Sequence, residues 1–206
     1  MQAAPRAVSS TLAVVPVVGR SALADERLDG TRLLDLAVSS AASAAADVLV
    51  VSGQMADGWA APRTSDWIVP RSDADLFDRI APFERILIHD LLCPLTPSQF
   101  LRDMALSEPA ATAAVAPVTD TLKAMDGHLV AHTVDRDLLC VVASPVVVDR
   151  DVLVRVPDVV DALSDAAALV RRLRTVTNVV LAPAPFGARR VGDSADLRVL
   201  SLRRAT

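Results

Sequence analysis

The sequence predicts an α/β protein of three layers, helix, sheet and helix, built on a largely parallel sheet with a β-arm projecting from it. Three observations carry that expectation. Short Val-rich runs at Leu12–Val18 (LAVVPVV), Val48–Val51 (VLVV) and Arg85–His89 (RILIH) have the near-continuous hydrophobicity of strands buried on both faces. Segments with apolar residues at i, i+3 and i+4 separate them, and strand, helix, strand in so short a stretch makes a right-handed βαβ unit. Late in the chain, two extended runs flank Asp126-Gly127, a dipeptide that favours a two-residue type I′ hairpin turn.

The elements follow in order. Leu12–Val18 is the first strand and Gly19-Arg20 its turn. From Thr31 to Ala46, the residues Leu33, Leu34, Ala37, Val38, Ala41 and Ala42 keep the spacing of an amphipathic helix, with Asp29 or Thr31 as its cap. Val48–Val51 is a second buried strand. Asp73–Ile80 reads as a short helix and Arg85–His89 as a strand. Pro97–Leu106 is a helix capped by Thr96 with Pro97 at its first position, and Ala113–Val118 is a further strand. Residues 119–142 form the arm. Asp149–Leu163 and Asp165–Arg174 read as helices, the first broken or kinked at Pro157. Val176–Leu181 is a late strand, and Ser194–Leu202 a closing helix. The Pro-, Gly- and Asp-rich stretch Gly53–Pro70 reads as a mobile loop. No internal repeat or low-complexity linker divides the chain, so its 206 residues make one domain.

A chain that is 52% hydrophobic and 22% charged, with a mean hydropathy of +0.39, can bury a substantial core, which excludes a disordered or fibrous protein. The net charge of −4, without a long run of like charges, gives no footprint for nucleic acid or an anionic membrane, and both are set aside as partners. Met1–Ser10 lacks the apolar core of a secretory signal, and no apolar run approaches a membrane span; a soluble, unprocessed, cytoplasmic protein is expected. Cys93 and Cys140 stand far apart with no CxxC pattern. That argues against structural zinc and for a reducing compartment, each thiol being buried and inert. His128 and His132 sit in the arm and share no ligand spacing with His89. Of the 21 Lys and Arg residues only Lys123 is a lysine.

The wording of several segments is specific. Ile86–Thr96 (ILIHDLLCPLT), Ala116–Lys123 (APVTDTLK), Val134–Arg136 (VDR) and Asp151–Arg155 (DVLVR) have an order and spacing that resemble the 2-C-methyl-D-erythritol 4-phosphate cytidylyltransferase family. Those enzymes transfer CMP from CTP to a sugar-alcohol phosphate in the non-mevalonate isoprenoid pathway. The resemblance runs over most of the chain. It implies a Rossmann-like nucleotidyltransferase sandwich that forms a homodimer through the β-arm, the arm of each subunit completing the partner's sugar-phosphate site. Carried over residue by residue, Thr121 and Arg136 match the arm residues that contact the substrate phosphate, and Asp90 matches the aspartate that faces the substrate. Gly19 and Arg20 fall in the nucleotide-binding loop. Arg190 stands where the family has a lysine, which keeps the charge and changes its geometry. In an active enzyme Arg20 and Arg190 would be the catalytic cations, and Asp90 would help to hold Mg²⁺.

The departures are concentrated at the nucleotide. The family's first loop reads roughly PAAGxGxR followed by Pro-Lys, whereas Pro16–Leu23 (PVVGRSAL) keeps one glycine and runs into Asp25-Glu26 and then Asp29, carboxylates that repel a triphosphate unless a cation intervenes. The base-recognition Gly-Gly segment is replaced by Val69–Leu76 (VPRSDADL), HDAARP becomes HDLLCP with Cys93 in the place of an arginine, and Ser144-Pro145-Val146 replaces Thr-Pro-Gln. Loss of base and triphosphate recognition together points to an impaired, dimeric binding or regulatory protein. Its ligand would be a phosphorylated small molecule or CTP, held at Asp90, Thr121 and Arg136. Active CMP transfer, with Mg²⁺ as cofactor, is the alternative; a third reading is an enzyme that uses another nucleotide.

Overall fold

In chain order the elements are β1 (Thr11–Pro16), the short strands β2 (Arg27–Leu28) and β3 (Thr31–Arg32), α1 (Leu33–Ala42), β4 (Asp47–Val51) and β5 (Asp66–Ile68). There follow α2 (Asp73–Ile80), β6 (Arg85–Ile88), α3 (Ser98–Ala105), β7 (Ala111–Pro117), the arm strands β8 (Leu122–Asp126) and β9 (Leu129–Val134), and the long β10 (Cys140–Asp149). Three helices, α4 (Arg150–Leu153), α5 (Val159–Ala162) and α6 (Ala166–Leu173), lead to the edge strand β11 (Val180–Pro183). The computed structural model describes residues 7–19, 24–53, 65–192 and 196–197.

One sheet of seven strands, ordered β11-β7-β10-β6-β1-β4-β5, forms the middle layer. All its pairings are parallel except the two made by β10, which runs antiparallel between β6 and β7. Every residue of β1 is buried. Alternation sends Ala13 and Val15 to one face and Leu12 and Val14 to the other, as the two-residue period of a strand requires. On the first face α1 and α3 pack through Leu34, Val38, Leu101 and Met104; on the second α2, α4, α5 and α6 pack through Leu76, Ile80, Leu153, Val159 and Leu169. This is a three-layer αβα architecture, and the C-terminal ends of β1, β4 and β6 open on one rim.

Several boundaries differ from the sequence expectation for identifiable reasons. The helix expected from Thr31 begins at Leu33, because Leu28 pairs with Thr31 around Asp29 (φ 50°) and Gly30 (φ 82°). Two positive φ values at Asp-Gly make a type I′ turn, so neither Asp29 nor Thr31 caps the helix. Arg32 holds the N-cap position and makes no side-chain cap bond. In the arm, Asp126 pairs with Leu129 and the two-residue loop is Gly127-His128. Only Gly127 there has a positive φ, 58°, the pattern of a type II′ turn in place of the expected I′ turn at Asp126-Gly127. Thr96 gives its hydroxyl to Cys93 O and does not cap α3, whose N-cap is Pro97.

The segment Asp149–Leu163 divides into α4 and α5 on either side of Pro157, with Asp158 in the left-handed region at φ 50°. The late strand starts at Val180, since the Val176 and Thr177 N–H groups still bond Leu173 O and finish the last turn of α6. Within the expected loop Gly53–Pro70, Asp66–Ile68 is a strand paired with β4, and residues 54–64 lie outside the described residues. Of the closing helix at Ser194–Leu202, only Asp196 and Leu197 are described. Cys93 is buried as expected, whereas Cys140, at the start of β10, is exposed. Among the described residues no helix is long and apolar enough to cross a membrane.

Candidate functional site

Strand β6 ends at Ile88, and the two residues after it stay in the rim of the sheet. His89 N–H donates to Val14 O at 2.8 Å, so the chain remains pinned to β1 one residue beyond the strand. Asp90 then turns the backbone: its Oδ1 accepts from Leu92 N–H at 2.9 Å and its carbonyl accepts from Cys93 N–H at 2.9 Å. Aspartate suits this position because its short side chain reaches the peptide two residues on. Asp90 is 6% exposed. Its second oxygen meets Arg190 Nε at 3.1 Å, an ion pair between a nearly buried carboxylate and a half-exposed guanidinium. Two candidates a hundred positions apart in sequence thus meet at the C-terminal ends of the strands, where open α/β sheets form ligand crevices.

Ser144, at the register shift of β10 between Val142 and Val146, joins this pair to His89. Its hydroxyl oxygen accepts the Asp90 N–H at 3.0 Å and lies 2.6 Å from His89 Nδ1. The imidazole is fully buried, and its Nε2 has no hydrogen-bond partner among the described residues. Burial pushes the His89 pKa down to about 4, against the opposing pull of the Asp90 charge, so the ring is neutral at pH 7. The bridging role of Ser144 is absent from the sequence reading. Its signals there are a lone hydroxyl interrupting a Val-rich strand and its place in Ser144-Pro145-Val146, where the resembled family has Thr-Pro-Gln.

Thr121 and Arg136 form a second cluster at the base of the arm. With Thr133, Val134, Asp135 and Asp137 they line an open pocket of about 400 Å³ that includes neither Asp90 nor Arg190. Arg136 Nη1 donates to Thr119 O at 2.7 Å, which holds the guanidinium against the arm's entrance. Lys123 Nζ donates to the Thr133 hydroxyl across the hairpin. The two clusters are therefore separate within one chain.

After β1 the chain continues through buried Val17, whose N–H donates to Val51 O at 2.7 Å, to Gly19 at φ 68°. Glycine suits that left-handed turn, and a Cβ there would meet nothing within 4 Å. Arg20 lies outside the described residues. Of the carboxylates that follow, Asp25 is 3.7 Å from Arg32, which also binds Asp35 through Nε at 2.8 Å. Cys93 is fully buried, so its thiol does not take the place of a substrate-facing arginine.

Magnesium is bound by one or two carboxylates together with substrate phosphates. Asp90 is the carboxylate the sequence suggests for it, yet both its oxygens are engaged, one by a cation that would repel a metal. No group of three or more His, Cys, Asp or Glu able to hold a metal occurs among the described residues. The described arrangement does not fit a resident magnesium ion.

The sequence profile of the 2-C-methyl-D-erythritol 4-phosphate cytidylyltransferase family matches residues 77–183. Solved structures agree in fold. The 2-C-methyl-D-erythritol 4-phosphate cytidylyltransferase of Thermus thermophilus is 20% identical with a TM-score of 0.76, covering 94% of this chain and 98% of its own. The 4-diphosphocytidyl-2C-methyl-D-erythritol synthase of Anaerococcus prevotii is 15% identical with a TM-score of 0.71, covering 96% and 97%. That of Francisella tularensis, a 2-C-methyl-D-erythritol 4-phosphate cytidylyltransferase, is 13% identical with a TM-score of 0.71, covering 95% and 100%. No curated protein matches the sequence.

Proposed function

We propose, since the chain belongs to the 2-C-methyl-D-erythritol 4-phosphate cytidylyltransferase family, that it is a cytoplasmic member impaired in CMP transfer, acting as a dimeric binding or regulatory protein for a phosphorylated small molecule. The observation that carries this reading is the place of Lys123. It is the chain's only lysine, and it is held across the arm by Thr133, so none is left for the loop after β1. Transfer of a nucleotidyl group depends on cations and backbone donors set around the developing phosphate charge. In this chain that loop offers one glycine in place of the family's glycine-rich run, and carboxylates follow it.

The anion-binding reading draws on what remains. Arg136 brings a guanidinium fork beside the Thr121 hydroxyl, a pairing suited to phosphate, and Arg190 brings a second fork whose charge is only partly offset by Asp90. A homodimer in which the arm of one subunit reaches the Asp90 rim of the other would unite the two clusters. The exposed Met125, Leu129, Val130 and Leu138 of the arm favour such burial, because a thin apolar hairpin is a pairing hazard when left uncovered. Active transfer from CTP remains the second reading, favoured by the Arg190–Asp90 pair at the strand ends, which keeps a cation where the family has one.

The deciding experiment measures pyrophosphate release from CTP, magnesium and methylerythritol phosphate. Turnover at least about a hundredfold below one per second is expected, since roughly 3 kcal/mol of lost transition-state stabilisation has that effect. Turnover near one per second would establish the second reading. Sedimentation is expected to show a dimer at micromolar concentration.

A further inference from the structure

The segment after β11 is fastened across the loop that follows β6. Ala188 and Val191 are fully buried, and Val191 N–H donates to Leu92 O at 2.7 Å. Between them Arg190 reaches Asp90. On the other side of Ala188, Gly187 passes so near the loop that a Cβ placed on it would lie 2.7 Å from Leu95 O and 3.3 Å from Pro97 Cδ. The backbone of Gly187 is not left-handed, so its glycine is needed for space and not for conformation. Both obstacles are parts of a fixed loop: a carbonyl oxygen, and the ring of the proline that caps α3. A methyl group there has to lift one segment off the other.

Arg190 needs this support. Its side chain is 42% exposed and engages Asp90 through Nε, and a solvated arginine loses rotamer freedom on settling into such a pair. A backbone held on both sides of the residue removes part of that cost beforehand. We infer that Gly187 is a positioning residue: by letting segment 185–192 close on the 91–97 loop, it delivers the Arg190 guanidinium to Asp90. The inference rests on the proposed anion-binding reading only for its consequence for ligands, since the geometry of the strap stands without it.

The test reads Arg190 directly. The Nε–H resonance of Arg190, identified by its loss in Arg190→Ala, is expected to be protected from exchange in the wild type. Exchange should be about tenfold faster or more in Gly187→Ala, as local opening of a fastened segment predicts. An unchanged resonance in a folded Gly187→Ala protein overturns the inference. If that variant does not fold, Val191→Ala loosens the same strap from its other end, and an unchanged Arg190 signal there overturns it equally. A titration with inorganic phosphate adds a second readout. Gly187→Ala should weaken binding by about tenfold when Arg190 is present and have no further effect in the Arg190→Ala background. Equal losses in both backgrounds would reduce Gly187 to a structural role and overturn the inference. Wild-type protein that binds no phosphate would instead refute the anion pocket, and the resonance would still decide the strap.

Discussion

Arg85 and His89 stand at the two ends of β6, each buried, each holding a polar cluster together, and the clusters differ in what they leave open. Arg85 opens the strand at 2% exposure. Its Nη1 donates to Pro109 O at 2.9 Å and Asp149 Oδ1 at 2.6 Å, and its Nη2 to Ser107 O at 2.9 Å and Ser107 Oγ at 2.8 Å. That guanidinium ties β6, the end of β10 and the turn before β7 into one knot, and its fork is committed to the protein. At the other end, Asp90 is nearly buried but its cation is half exposed, and Arg190 meets it through one nitrogen. A charge cluster whose fork is bonded within the protein fixes the fold; a cluster that keeps a half-exposed cation can still answer a ligand. The same strand therefore separates a structural pole from a functional one.

The largest expected effect lies at the Arg85 end. Arg85→Met removes a buried cation from the half-buried Asp149 and takes donors away from the Ser107 and Pro109 carbonyls, which should cost about 3 kcal/mol in urea unfolding. Phosphate affinity of the folded fraction should not change. A loss below about 1 kcal/mol would show the knot to be dispensable, and a parallel loss of phosphate binding would erase the distinction between the poles.

Next comes the pH response of the open end. The unfolded chain carries a histidine of pKa 6.5 and the folded one holds His89 near 4, so below 6.5 the unfolded state binds more protons. Stability is then fully present above about pH 6.5 and falls as pH drops toward 4, by on the order of 3 kcal/mol across that window. The measurement is the urea midpoint of wild type and His89→Gln between pH 7 and 4. A slope in this window that persists undiminished in His89→Gln would assign it to other groups.

How much of this was legible beforehand differs between the poles. The resemblance in HDLLCPLT singled out Asp90, and the family's lysine position singled out Arg190; the structure brings them to 3.1 Å. Arg85 carries no local signal, because a single charge at the head of RILIH reads as the edge of a strand, and its partners at 107, 109 and 149 are joined to it only by the fold. Local patterns behaved likewise. The continuous apolar run of β1 located a strand within a residue or two, since burial on both faces leaves no other reading. Asp-Gly predicted a type I′ turn at 126–127, whereas the register gives a II′ turn at Gly127-His128. The I′ turn occurs at Asp29-Gly30, hidden by the helical spacing that begins just after it. Short-range rules named the right chemistry there, and strand register decided where it applied. Ser144 and Gly187 matter through hydrogen bonding and close approach to distant residues, which no local pattern records.

The smallest effect on stability is expected where the comparison is sharpest, at Arg190→Ala. A half-exposed ion pair contributes little, because solvent already screens the guanidinium and the side chain gives up rotamer freedom to form it. Asp90 keeps the Leu92 N–H, and removal of the arginine opens its second oxygen to water. The stability loss should therefore be about 1 kcal/mol or less, several times smaller than at Arg85, although both substitutions delete an arginine paired with an aspartate. Phosphate affinity should respond in the opposite order and fall by about tenfold or more, the scale of one charge-assisted hydrogen bond. Urea unfolding and phosphate calorimetry on the two variants settle the matter together. If Arg190→Ala unfolds the protein as readily as Arg85→Met while binding is unaffected, the rim pair is a second structural knot and the open end of β6 has no claim to a ligand.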